Sequence, residues 1–166
     1  MLVNHELEPI YNSNSKILIL GSLPSIKSRS LGFYYMHPQN RFWPIMESLF
    51  STSLPTIASK KVFLLNNNLA LWDVIASCDI TNSSDNSIKE VTPNNLNLII
   101  NNAPIKAIFC LGKTSYKLFF KYNNYPHIKV YLLPSPSSAN ATHHFNTLVQ
   151  DYQLIKDLLT CQILPK

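Results

Sequence analysis

Hydrophobic positions fall in two rhythms along the chain. Short unbroken apolar runs, "KILIL" at 16–20, "IKAIFCLG" at 105–112 and "HIKVYLLP" at 127–134, each stop at a glycine or proline. Runs that short and apolar at nearly every position predict strands buried on both faces, as in a parallel sheet. Between them apolar residues recur at helical spacing. Phe42, Ile45, Met46, Leu49 and Phe50 share one face from about Asn40 onward, with Pro44 in the first turn, where a missing N–H is tolerated. Further helices are predicted over 57–68, over 94–102 with Thr92 as cap and Pro93 at the first position, over 113–122, and over roughly 146–160. "LALWDVIASCDI" at 69–80 reads as short helical or irregular and "TNSSDNS" at 81–87 as a loop. Residues 22–39, with two prolines, several serines and Gly32, read as one long loop.

Strands alternating with helices predict an α/β fold, a parallel sheet with helices on both faces. Binding crevices in such sheets lie beyond the C-terminal ends of the strands. The first and third strands open there into "GSLPS" at 21–25 and "LPSPSSAN" at 133–140, so two distant segments are expected on one rim. No linker or repeat interrupts the chain, and residues 1–166 are expected to form a single domain.

Composition sharpens this. With 46% apolar and only 14% charged residues, the surface draws its polarity largely from Asn and Ser, and the net charge of +5 favours a polyanionic partner. Cys78, Cys110 and Cys161 have no zinc or iron–sulfur spacing and are expected as free thiols in a reducing cytoplasm. No signal peptide or membrane-length apolar run is present, so no membrane association is expected.

The rim loops contain no acid from 21 to 41 or from 130 to 146, yet they hold Lys27, Arg29, His37, Arg41, His143 and His144. That argues against a carboxylate pair or a Mg²⁺ site on the rim and suits phosphates. Ser22 and Ser25 do not fit the nucleophile elbow of a serine hydrolase, and three glycines cannot build a phosphate loop. By residue type alone, Phe42 and Trp43 are core, His37 is a structural hydrogen-bonder, Asn40 is a helix cap and Asp85 a turn residue.

Taken together, "GSLPS", "YYMHPQNRFWPI", "ALWDV" and "LPSPSSANA", in that order and strand context, resemble the uracil-DNA glycosylase superfamily. The branch most similar is that of the hypoxanthine (deoxyinosine)-DNA glycosylases. "HPQNRFW" also resembles the HP-x-NRFW motif of mismatch-specific uracil glycosylases. The resemblance implies a three-layer α/β/α fold around a mainly parallel four-stranded sheet. It implies a monofunctional glycosylase, a monomer without metal or cofactor. Such an enzyme flips deaminated bases, chiefly hypoxanthine, from double-stranded DNA and hydrolyses the N-glycosidic bond. Leu23 stands where mismatch-specific enzymes have an Asn, and Leu133 where other branches have a His or Asn. The water-orienting role accordingly passes to Asn40. Tyr35 aligns with the base-stacking aromatic, and backbone N–H groups near Ser22 and Leu23 would meet the departing base. Ser25, Lys27, Ser135, Ser137, Ser138, Ala139 and Asn140 would contact DNA, with 137–139 where wedges sit. Trp72 and Asp73 match a signature without an assignable role. A uracil-type glycosylase and a non-catalytic nucleic-acid-binding module are the alternatives.

Physical reasoning supports an amide in this role. Glycosidic cleavage has a loose, oxocarbenium-like transition state, so water needs orienting more than deprotonating. An amide oxygen orients water, and DNA phosphates can stabilise the sugar cation.

Overall fold

The computed structural model describes residues 1–81 and 85–160. Its central layer is a four-stranded, all-parallel sheet flanked by helices. The strands are β2 (Ile17–Gly21), β3 (Leu69–Asp73), β6 (Ala107–Leu111) and β7 (Lys129–Leu133), in the order β3-β2-β6-β7. Every residue of β2, β3 and β6 is buried, which is why their sequences are apolar at almost every position. β2 lies between β3 and β6, pairing Gly21 with Asp73 and Leu20 with Cys110. The C-terminal ends of these strands therefore lie together at one rim.

β3 was not expected. "LALWD" pairs in parallel with β2, and β4 (Ile75–Asp79) follows after a single residue. β4 joins β1 (Leu2–Asn4) and β5 (Lys89–Pro93) in a small antiparallel sheet, order β1-β4-β5. This sheet has its own core of Val3, Ile75, Cys78 and Ile80. Thr92 and Pro93 thus end an edge strand instead of starting a helix, and α4 is limited to Asn97–Ile100. A proline is acceptable there because an edge strand leaves some N–H groups without a ladder partner.

The other helices are α1 (Ile26–Leu31), α2 (Phe42–Phe50), α3 (Ile57–Asn66), α5 (Lys113–Tyr122) and α6 (Phe145–Thr160). α1 lies inside the segment predicted as one long loop. Ser25 caps it by accepting from the Ser28 N–H, and Gly32, at φ +77°, ends it in the left-handed conformation. α2 packs against α6 and buries Phe42, Trp43, Ile45, Met46 and Leu49; this is the face its periodicity predicted, except that Phe50 is only half-buried and Trp43 joins it. Trp43 also donates from its indole N–H to the Tyr34 carbonyl at 2.9 Å, anchoring the segment before the helix. Cys78 and Cys110 are free and buried, and burial pushes the Cys110 thiol pKa up to about 12. Cys161 and residues 82–84 of the expected loop lie outside the described residues. No helix among the described residues is long and apolar enough to cross a membrane.

Candidate active site

A cavity of about 640 Å³ opens at the rim where β2, β3 and β6 end. Asn40, Ser22, Leu23, Tyr35, Ser25, Ser135, Ser137, Ala139 and Asn140 all line it, joined by Gly21, Asp73, Asp85 and Leu111. Lys27, on the outer side of α1, and Ser138, on the loop after β7, are exposed and do not line it. The two loops expected to meet do meet.

Asn40 sits in the cavity wall just before α2. Its Oδ1 accepts the Phe42 N–H at 2.9 Å, and its own N–H donates to the His37 carbonyl at 2.9 Å. The residue at the N-cap position is Arg41, whose side chain makes no cap bond. Asn40 therefore satisfies a free helix donor from one residue earlier while facing the cavity. Because Phe42 N–H can only donate, it identifies Oδ1 as the bonded atom. One oxygen lone pair remains. His37 also works locally, its Nδ1 accepting the Gln39 N–H at 3.1 Å.

Tyr35 has φ +56°, a left-handed conformation unusual for a bulky residue. Its ring stacks on Phe42, with centroids 4.3 Å apart and planes 24° from parallel, so only the opposite face is available to another ring. Its hydroxyl is buried and has no hydrogen-bond partner among the described residues. Burial first, then the Asp73 charge, holds this phenol well above its ordinary pKa, so it keeps its proton.

Beneath Tyr35 lies the least anticipated feature. The side chains of Asp73 and His5 are both buried, with His5 Nε2 and Asp73 Oδ2 2.8 Å apart. Asp73 Oδ1 has no partner among the described residues and borders the cavity. A Cβ on Gly21 would lie 2.6 Å from Asp73 Oδ1 and 3.0 Å from the Tyr35 hydroxyl. Gly21 thus lets two polar atoms close in over the end of β2. Asp85, in a short turn at Asp85–Ser87, approaches from the other side, 3.5 Å from the Ser22 Oγ. The expectation of a rim without acids is therefore corrected: the loops carry none, but the end of β3 and the turn before β5 bring Asp73 and Asp85 into the same cavity.

Arg41 departs from expectation too. Instead of standing free as a rim cation, its guanidinium donates to the carbonyls of Pro136, Ser137, Asn140 and His143, at 3.2, 2.7, 2.9 and 2.7 Å. It thereby ties the Asn40 segment to the loop after β7.

A family model described as "Uracil DNA glycosylase superfamily" matches residues 8–158. The chain belongs to the uracil DNA glycosylase superfamily. Among curated relatives, it is 34% identical over 110 residues to a hypoxanthine DNA glycosylase of Methanosarcina barkeri. That alignment covers 64% of this chain and 70% of the relative. A hypoxanthine DNA glycosylase of Methanosarcina acetivorans is 28% identical over 144 residues, covering 84% of this chain and 89% of the relative. A solution NMR structure of a M. acetivorans protein, provisionally named a uracil DNA glycosylase, superposes with a TM-score of 0.78 at 26% identity. It covers 96% of this chain and 99% of that one. These similarities place the chain among DNA glycosylases, acting on DNA.

Within the superfamily fold, Leu133 is buried at the end of β7, away from the cavity, where its carbonyl accepts the Gly112 N–H at 2.8 Å. Leu23 lines the cavity and also packs against the core of the small sheet. Neither supplies a polar side chain, so in this glycosylase the polar side chains of the cavity come from Asn40, Asn86, Asn140, Asp73, Asp85, Tyr34, Tyr35 and the serines. The one signal that pointed to Asp73 was its place in the "ALWDV" signature, which carried no role with it. His5 had none, because its partner lies 68 residues away.

Proposed function

We propose that this glycosylase hydrolyses the N-glycosidic bond of deaminated nucleosides in duplex DNA, chiefly deoxyinosine, leaving an abasic site. The observation that carries the reading is the placement of the Asn40 amide, anchored by the Phe42 N–H, in the wall of a cavity that also holds the unpartnered Asp73 Oδ1.

The chemistry follows from these positions. A base rotated out of the helix would lie against the free face of Tyr35, with Phe42 behind it. Stacking of this kind is typically about 1–3 kcal/mol per base. Hypoxanthine presents an N–H beside a carbonyl. Asp73 Oδ1 is placed to accept the N–H. The backbone N–H groups of Ser22 and Leu23, which have no acceptor among the described residues, are placed to donate to the carbonyl and to the charge that develops on the departing base. Adenine puts a lone pair where hypoxanthine has its N–H and would face the carboxylate unfavourably. The remaining lone pair of Asn40 Oδ1 orients water toward the sugar carbon, and the DNA phosphates offset the oxocarbenium charge.

Uracil carries the same N–H and carbonyl edge, so the Asp73 geometry admits a uracil-type activity as the second reading. Duplex oligonucleotides with a single hypoxanthine, uracil or xanthine, incubated with protein and then cleaved with alkali, separate the two. The expected result is strand cleavage chiefly at hypoxanthine. Cleavage at uracil alone transfers the assignment to the second reading, and no cleavage at any base defeats both.

The exposed Ser138 stands at the proposed wedge and is small, which predicts shallow insertion into the stack. Ser138→Leu is expected to tighten binding to a mispaired duplex several-fold in a fluorescence anisotropy titration. Unchanged affinity would remove 137–139 from that role.

A further inference from the structure

We infer that Arg41 is a positioning residue which shapes the loop at 135–143 into a phosphate-gripping surface and holds neighbouring Asn40 in the cavity wall; this rests on the glycosylase reading above.

Arg41 makes no ion pair among the described residues. Its charge is instead met by the four carbonyls of Pro136, Ser137, Asn140 and His143, and its own backbone N–H donates to the Pro136 carbonyl at 3.0 Å. A guanidinium provides five donors in a rigid plane, and here most of them serve a loop about a hundred residues further along the chain.

The consequence lies in the peptide planes. In a trans peptide the N–H points opposite the C=O. When Arg41 draws the carbonyls of Ser137 and Asn140 toward itself, the amides of Ser138 and Ala141 must point away from it. Three other loop donors are used internally: Ser137 N–H goes to the Ser135 Oγ, Ala139 N–H to the Ser137 Oγ, and Asn140 N–H to the Ser137 carbonyl. The amides of Ser138 and Ala141 have no acceptor among the described residues. Outward-facing backbone N–H groups form an anion site, and here their orientation is set by a cation that does not itself touch the anion. Because Arg41 adjoins Asn40, loosening the loop also loosens the amide.

A direct phosphate ligand and a positioning residue predict different kinetics. Arg41→Lys keeps the charge but offers one ammonium to carbonyls that needed a fork. It is expected to lower the single-turnover rate of hypoxanthine excision at saturating duplex by at least roughly tenfold, a change a lost phosphate contact alone would not cause. Arg41→Met is expected to weaken duplex binding without changing its salt slope, whereas loss of a phosphate ligand would reduce the slope by about 0.9. In wild-type protein, the Ser138 and Ala141 amides are expected to exchange freely and become protected on binding undamaged duplex. That measurement stands even if the variants fold poorly. A wild-type rate in Arg41→Lys, a reduced slope in Arg41→Met, or no protection of these amides would each overturn the inference. Wild-type protein inactive on every base would instead defeat the glycosylase reading.

Discussion

Asn40→Ala is expected to lower single-turnover excision of hypoxanthine by about 10²–10³, the range for removal of one well-placed polar group from a transition state. Its effect on stability should be far smaller. The Phe42 N–H loses its Oδ1 acceptor, and loss of a helix-capping side chain costs about 1 kcal/mol. The two effects separate in Asn40→Ser, whose hydroxyl can still accept from a helix N–H but is too short to carry an oxygen as far into the cavity as the amide does. Thermal melts of both variants, run beside the excision assay, distinguish a catalytic amide from a cap. An alanine variant with unchanged excision would leave Asn40 as a cap alone. If the wild type also excised nothing, the non-catalytic binding module would stand.

Gly21→Ala should have the second large effect, and for a different reason. Gly21 has no backbone conformation that demands glycine, but a Cβ there would meet Asp73 Oδ1 at 2.6 Å, where no ordinary contact exists. The carboxylate is held from behind by His5, so it cannot yield without breaking a buried pair. Overpacking of this kind costs about 1–3 kcal/mol, and displacement of Asp73 and the Tyr35 hydroxyl should lower excision by at least roughly tenfold. Gly32 provides the contrast. It has φ +77°, and a Cβ added there would meet nothing within 4 Å. Gly32→Ala should therefore be destabilised by about 1 kcal/mol through backbone strain, with excision preserved. Equal activity of the two variants would show that the space above Gly21 is not needed for the reaction.

The parts of this protein that were legible in its sequence were those set by local patterns. Continuous apolar runs marked β2 and β6 because strands buried on both faces cannot accommodate polar residues; the run over β7 also marked a strand, but this edge strand leaves Lys129 and Leu132 exposed instead of being buried on both faces. A 3.6-residue rhythm marked α2, α5 and α6 because each buries one stripe. Glycine and proline marked where the strands end, and strand ends in such a sheet define the rim. Asn40, Tyr35 and the named serines other than Ser138 line one cavity, as the family resemblance of their motifs implied.

Three features depended on pairing across the chain. "LALWD" becomes β3 only because β2 offers it an open edge, and its segment has no rhythm of its own strong enough to show this. Asp73 and His5 become a buried pair only when the small sheet brings residue 5 against the end of β3. Arg41 looked like a phosphate ligand because an arginine among polar loop residues is usually solvated. Four inward-facing carbonyls from residues 136–143 make it a clamp instead. Local sequence carries the cost of burying a side chain, since that cost depends on the side chain itself. The partner that satisfies a buried charge or an unpaired carbonyl comes from elsewhere in the chain, and only the folded arrangement names it.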